Sequence, residues 1–141
     1  MTQSLKPSPV VTVVERPFWD AAKKGDLIIQ KCVDCNQLIF YPRIYCPHCH
    51  SAALTWEKAS GKGKVYTYTV VVNNPHSSFL ADMPFVIAIV KLEEGVQMLS
   101  NIVGCRPEDV TCDMPVEVVF EKLNDEFTLP KFKPVKYISK R

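Results

Sequence analysis

The sequence predicts a mainly β chain in two parts: an N-terminal helix with a small metal-pinned ribbon, then a five-stranded barrel. Three observations carry this reading. Four cysteines fall in two tight pairs, Cys32-x-x-Cys35 and Cys46-Pro-His-Cys49, ten residues apart. Beyond Gly63 the chain becomes a succession of β-branched and aromatic runs. Between the two regions stands a turn cluster, Ser60-Gly61-Lys62-Gly63, the expected boundary.

Size and charge narrow the function classes. The 141 residues allow one ordinary domain or two small ones, and a hydrophobic content of 47% suffices for a packed core. A net charge of +2 gives bulk electrostatics no reason to recruit nucleic acid or a membrane surface. No run approaches the roughly 18 apolar residues of a membrane helix. Met1 to Val14 has no basic start followed by an apolar run, so no secretory signal is read there and the expected location is cytoplasmic. In that compartment paired cysteines bind metal more often than they form disulfides, although six cysteines also allow three bridges.

Residues 1–14 read as an irregular arm, and residues 15–60 as helix plus ribbon. In Glu15 to Gly25, Pro17 suits the first helical turn, Lys23 and Lys24 suit its carbonyl end, and Gly25 suits the cap. Phe18, Trp19 and Ala22 share one side at helical spacing. A helix this short needs something to dock on. That is either its own core or a partner groove. Leu27 to Cys32 is a strand into the first cysteine pair, Gln37 to Tyr41 a strand out of it, and Leu54 to Lys58 a strand leaving the second. Asn36 and His50 follow the two pairs, where such knuckle turns call for positive φ. Strand, knuckle, strand, knuckle is the order of a rubredoxin-like zinc ribbon.

Residues 61–135 supply the barrel. Lys64–Val72, Pro84–Leu92, Val96–Val103 and Val116–Leu123 read as strands, and Leu129–Val135 as a fifth that Pro130 and Pro134 weaken. Asn73–Ser78 is a loop, Glu93-Glu94-Gly95 a solvated hairpin turn, and Pro107–Val110 one helical turn. Five strands with a helical turn between the third and fourth is the order of an OB fold. Residues 136–141 read as a frayed basic tail; with Lys131 and Lys133 they form the one basic cluster.

Cys32, Cys35, Cys46 and Cys49 can hold one ion tetrahedrally, and an all-thiolate set leaves no open position, so the site reads as structural. Zn2+ is the expected metal; iron in a rubredoxin-type site uses a similar ligand set, and His50 is an alternative to Cys49. Cys105 and Cys112 are expected to be buried small hydrophobes. His76, in a loop with Ser77 and Ser78, matches no nucleophile–base arrangement. No P-loop, dinucleotide fingerprint, H-E-x-x-H or paired-carboxylate motif occurs. The second and third barrel strands lack the basic–aromatic stripe of single-strand binders. Tyr66, Tyr68, Phe79 and Phe85 suit either a groove wall or a barrel core.

The combination of Phe18-Trp19, the two cysteine pairs, and Gly61-Lys-Gly63-Lys-Val-Tyr-Thr-Tyr-Thr-Val-Val71 resembles the zinc-ribbon/OB-fold proteins that accompany thiolase-like enzymes, over residues 15–135. The resemblance implies a non-catalytic accessory subunit that binds acyl-CoA or docks a thiolase-like, ketoacyl-synthase-like or hydratase enzyme. Its four cysteines carry over to Cys32, Cys35, Cys46 and Cys49, and no catalytic residue carries over. The candidate docking or acyl-CoA residues are Phe18, Trp19, Tyr66 and Tyr68, with Lys62 and Lys64 for the phosphates. Two other readings stay open here: a nucleic-acid-binding ribbon/OB module, and an electron-transfer iron site.

Overall fold

The computed structural model describes residues 9–73 and 83–135. The expectations for His76, Phe79 and the tail at 136–141 lie outside them. The helix, α1, runs Arg16–Lys23 with Pro17 in its first turn. Gly25, at φ +88°, ends it, and the Lys24, Gly25 and Asp26 N–H groups cap the carbonyls of Ala21 and Ala22.

Three strands make the ribbon sheet: β1 (Ile28–Cys32), β2 (Leu38–Ile39) and β3 (Leu54–Lys58), in the antiparallel order β2-β1-β3. The expected strand at 37–41 shrinks to two residues. After Ile39 the chain turns away to place Phe40 and Tyr41 against the helix, with ring centroids 5.5 and 5.9 Å from Phe18. Aromatic burial wins over two more ladder positions on an edge strand.

The second half is a closed barrel of β4 (Lys62–Val71), β5 (Phe85–Leu92), β6 (Gln97–Ile102), β7 (Pro115–Lys122) and β8 (Thr128–Pro134), in the order β4-β5-β6-β8-β7. A 3-10 turn at Pro107–Asp109 joins β6 to β7. With β6 and β8 parallel, this is the OB-fold order anticipated from the strand count. β8 forms along its whole length despite its two prolines. Pro130 stands opposite Phe120, and Ser100 Oγ donates to its carbonyl. The barrel is filled by alternate residues: Val86, Ala88, Val90 and Leu92 of β5 meet Val65, Met98, Ile102, Val116 and Phe132. Phe18, Leu27, Ile29 and Ala59 belong to the same cluster, so the helix and ribbon base share the barrel's apolar core.

The glycines at the junction are dictated by contact. A Cβ on Gly61, itself at φ +82°, would lie 2.6 Å from Val118 Cγ1, and one on Gly63 would lie 2.5 Å from the Lys91 carbonyl oxygen. The expected fifth strand carries Lys131 and Lys133, which pair with Glu121 and Glu117. Two expectations need correction. Glu94 is no free turn residue: its Oε2 accepts the Ser60 N–H at 2.8 Å and its Oε1 is buried. Cys112 is exposed and Cys105 half-buried, because both sit in the loops flanking the 3-10 turn. Of the two alternatives open for Tyr66 and Tyr68, groove wall or core, exposures of 56% and 36% remove the core; a bulge between Val65 and Thr67 turns Tyr66 out of the ladder.

Candidate metal centre and the adjoining groove

The two knuckles are built alike. Each first cysteine carbonyl accepts a turn N–H four residues on, Asn36 to Cys32 at 2.8 Å and His50 to Cys46 at 2.9 Å. Asn36 and His50 adopt φ of 64° and 67°, the left-handed conformation anticipated for them. Ser51 Oγ of the second knuckle donates to Asp34 Oδ2 of the first at 2.5 Å, joining the pair.

This geometry brings four Sγ atoms within 4.8 Å of one another. Cys32 and Cys49 are 3.5 Å apart and Cys35 and Cys46 3.7 Å. A tetrahedron with zinc–sulfur bonds of about 2.3 Å has edges of roughly 3.8 Å, so the residues present fit the ion. Cys32 and Cys46 are buried, under Ile39 and Leu54, while Cys49 is exposed. The N–H groups of His48 and Cys49 both donate to Cys46 Sγ, at 3.3 and 3.4 Å. Burial pushes the Cys46 thiol up, but those two donors and the neighbouring thiols Cys35 and Cys49 outweigh it and bring it down to about 7. The cluster contains no histidine; His48 and His50 are exposed beside it.

Beside the ribbon, a groove of about 600 Å³ runs between α1, the Phe40–Arg43 segment and the β6–β8 side of the barrel. Phe18 lies in it but is 2% exposed, so of the two alternatives for the helix face, own core or partner groove, Phe18 takes the core. Trp19 is the accessible wall, held by Phe127 edge-on at 5.5 Å and by its Nε1–H, which donates to Tyr41 Oη at 3.3 Å. Tyr41 in turn donates to Glu15 Oε1 at 2.7 Å. Burial first, and then the Glu15 bond, push the Tyr41 hydroxyl up to about 12, and the same bond holds the Glu15 carboxyl below its ordinary value.

The expected site residues do not converge. Lys62, Lys64 and Tyr66 line a second groove on β4 that shares no residue with the first, and Tyr68 lies in neither. Residues missed from sequence are Phe40, Tyr41, Arg43, Leu99 and Leu129. The adjacent aromatic pair Phe40-Tyr41 before Pro42, too apolar for a solvated ribbon edge, was the available signal.

Helix, four-thiol ribbon and OB barrel in one chain define a zinc-ribbon/OB-fold protein. Residues 19–55 match the ChsH2 rubredoxin-like zinc ribbon domain and residues 56–121 the ChsH2 C-terminal OB-fold domain. The chain belongs to this family, the DUF35 scaffold proteins. It is 43% identical over 115 residues to a DUF35 domain-containing scaffold protein of Methanocaldococcus jannaschii, covering 81% of each chain. It is 38% identical over 133 residues to a Thermomonospora curvata chain named "Probable enoyl-CoA hydratase alpha subunit", covering 94% of this chain and 41% of that one. The chain therefore spans less than half the length of that relative. Among solved structures it resembles the "Ltp2-ChsH2(DUF35) aldolase", with a TM-score of 0.82, 37% identity, and 90% and 98% of the two chains covered.

Proposed function

We propose that the chain is a zinc-holding accessory subunit without chemistry of its own. It docks an acyl-CoA enzyme of thiolase-like, ketoacyl-synthase-like or hydratase type and receives the pantetheine arm in the groove between helix, ribbon and barrel. The groove carries this reading. It is amphipathic, with Trp19, Phe40, Leu99 and Leu129 beside Ser100 and Asn101. β6 pairs with β8 only at Ile102 opposite Phe132, so residues 97–101 line the groove with a strand edge that has no ladder to β8. Such an edge suits the two amides of a pantetheine arm. Zinc, closed in by four sulfurs, has the task of setting the Phe40–Arg43 wall rather than touching substrate.

Scaffold and hydratase-subunit relatives support a partnered role. Leu99, 69% exposed on β6, gives a partner an apolar anchor. Lys131 and Lys133, expected in the basic cluster, are committed to ion pairs and add nothing to a nucleic-acid surface. Calorimetry of the zinc-loaded chain with an acyl-CoA tests the ligand. Binding that Trp19→Ala and Leu129→Asp abolish supports the groove. A folded, metal-loaded chain that binds no acyl-CoA in the presence or absence of an acyl-CoA enzyme contradicts it.

A further inference from the structure

Lys64 and Lys91 stand directly opposite each other across the β4–β5 ladder, and Lys62 lies two residues before Lys64 on the same side. Like charges in directly opposed positions cost a sheet stability. All three side chains are exposed, and among the described residues none has a carboxylate within ion-pair distance. Glu93 and Asp113 border the same groove out of that reach. Glu117, opposite Lys62 on β7, pairs with Lys133 at 3.9 Å instead. The lysines rim a groove of about 610 Å³ on the outer face of the barrel, with Pro115 beside them and the bulged Tyr66 ring, 56% exposed, at its edge.

We infer that this groove binds a phosphate-bearing nucleotide. Lys62, Lys64 and Lys91 meet the phosphates as point charges, and the exposed Tyr66 ring stacks on the base. Two sources share that chemistry: the nucleotide end of a coenzyme A thioester and a free nucleotide. The first rests on the function proposed above, the second does not. Because the two grooves share no lining residue, each can fail without the other.

The test is a titration of the zinc-loaded full chain with adenosine 3′,5′-bisphosphate, with adenosine, and with pantetheine. Bisphosphate should bind at least about tenfold more tightly than adenosine. Replacing Lys64 and Lys91 together by Gln should weaken it by about the same factor, whereas Trp19→Ala should leave it unchanged. Pantetheine binding should follow Trp19 and ignore the lysines. Lys64→Glu should raise the melting temperature of the free protein, by setting opposite charges across the ladder, while abolishing nucleotide binding. A coenzyme A thioester that binds more tightly than the bisphosphate identifies the coenzyme as source; equal affinities identify the free nucleotide. The inference is overturned if bisphosphate fails to bind folded, zinc-loaded protein, or binds the double variant equally well. It is also overturned if the lysines prove necessary only for an acidic protein surface.

Discussion

The side-chain amide of Gln30 pairs with the backbone of Arg43 in both directions: its Nε2 donates to the Arg43 carbonyl at 3.0 Å, and its Oε1 accepts the Arg43 N–H at 2.7 Å. Gln30 is 5% exposed and stands in the middle of β1. One buried amide thus replaces the ladder that β2 abandons after Ile39, and it fixes the wall of the groove where the ribbon meets the barrel. Gln30→Leu leaves both Arg43 backbone groups without partners and should cost about 1–3 kcal/mol. Denaturant unfolding at fixed zinc measures the loss; an unchanged midpoint would refute the role.

Removing the metal should undo the ribbon first. Structural zinc contributes folding free energy on the order of 10 kcal/mol in small domains. Cys32→Ser or Cys46→Ser should therefore drop bound zinc from one equivalent and expose Trp56 on β3, visible as a shift in tryptophan emission. The β5–β6 ladder, built on its own apolar residues, should keep its amide protection for longer. Full zinc content in either variant would contradict the ligand set.

Phe18 and Trp19 are neighbours in sequence with different tasks. Phe18→Ala empties a core position and should destabilise the protein by about 3–5 kcal/mol. Trp19→Ala should cost less stability and more ligand or partner affinity. Thermal unfolding and binding measured on the same two variants separate them. Equal effects on both readouts would remove the distinction.

The Glu15–Tyr41 bond sets two pH limits. Tyr41, raised to about 12 from 10, contributes stability that is full below pH 10 and is lost as the pH climbs toward 12. Glu15, lowered from 4.5, contributes stability present above that value and lost as the pH falls below it. Both groups are largely solvated, so each effect should be small. Spectrophotometric titration should show a late tyrosine that Tyr41→Phe removes and Glu15→Gln makes earlier.

Much of this architecture was legible because short-range chemistry specifies it. The cysteine spacing, positive φ at Asn36 and His50, and β-branched runs separated by glycine turns are local signals, and each led to the observed element. What escaped was long-range. That Phe40 leaves its strand depends on Phe18, more than twenty residues earlier, and that Lys131 is partnered depends on Glu121 across a hairpin. The groove has no sequence signature either. It exists because β6 and β8 meet at one pair, a property of barrel closure rather than of any residue.

The central claim is a partnered role, and reconstitution tests it most directly. Zinc-loaded protein mixed with purified thiolase-like, synthase-like and hydratase enzymes from the same source should form a stoichiometric complex with one of them by light scattering. Leu99→Asp should disrupt that complex while leaving the fold intact, and the chain alone should turn over no acyl-CoA. A folded, zinc-loaded chain that stays free of all three, or that turns over an acyl-CoA by itself, would contradict the account.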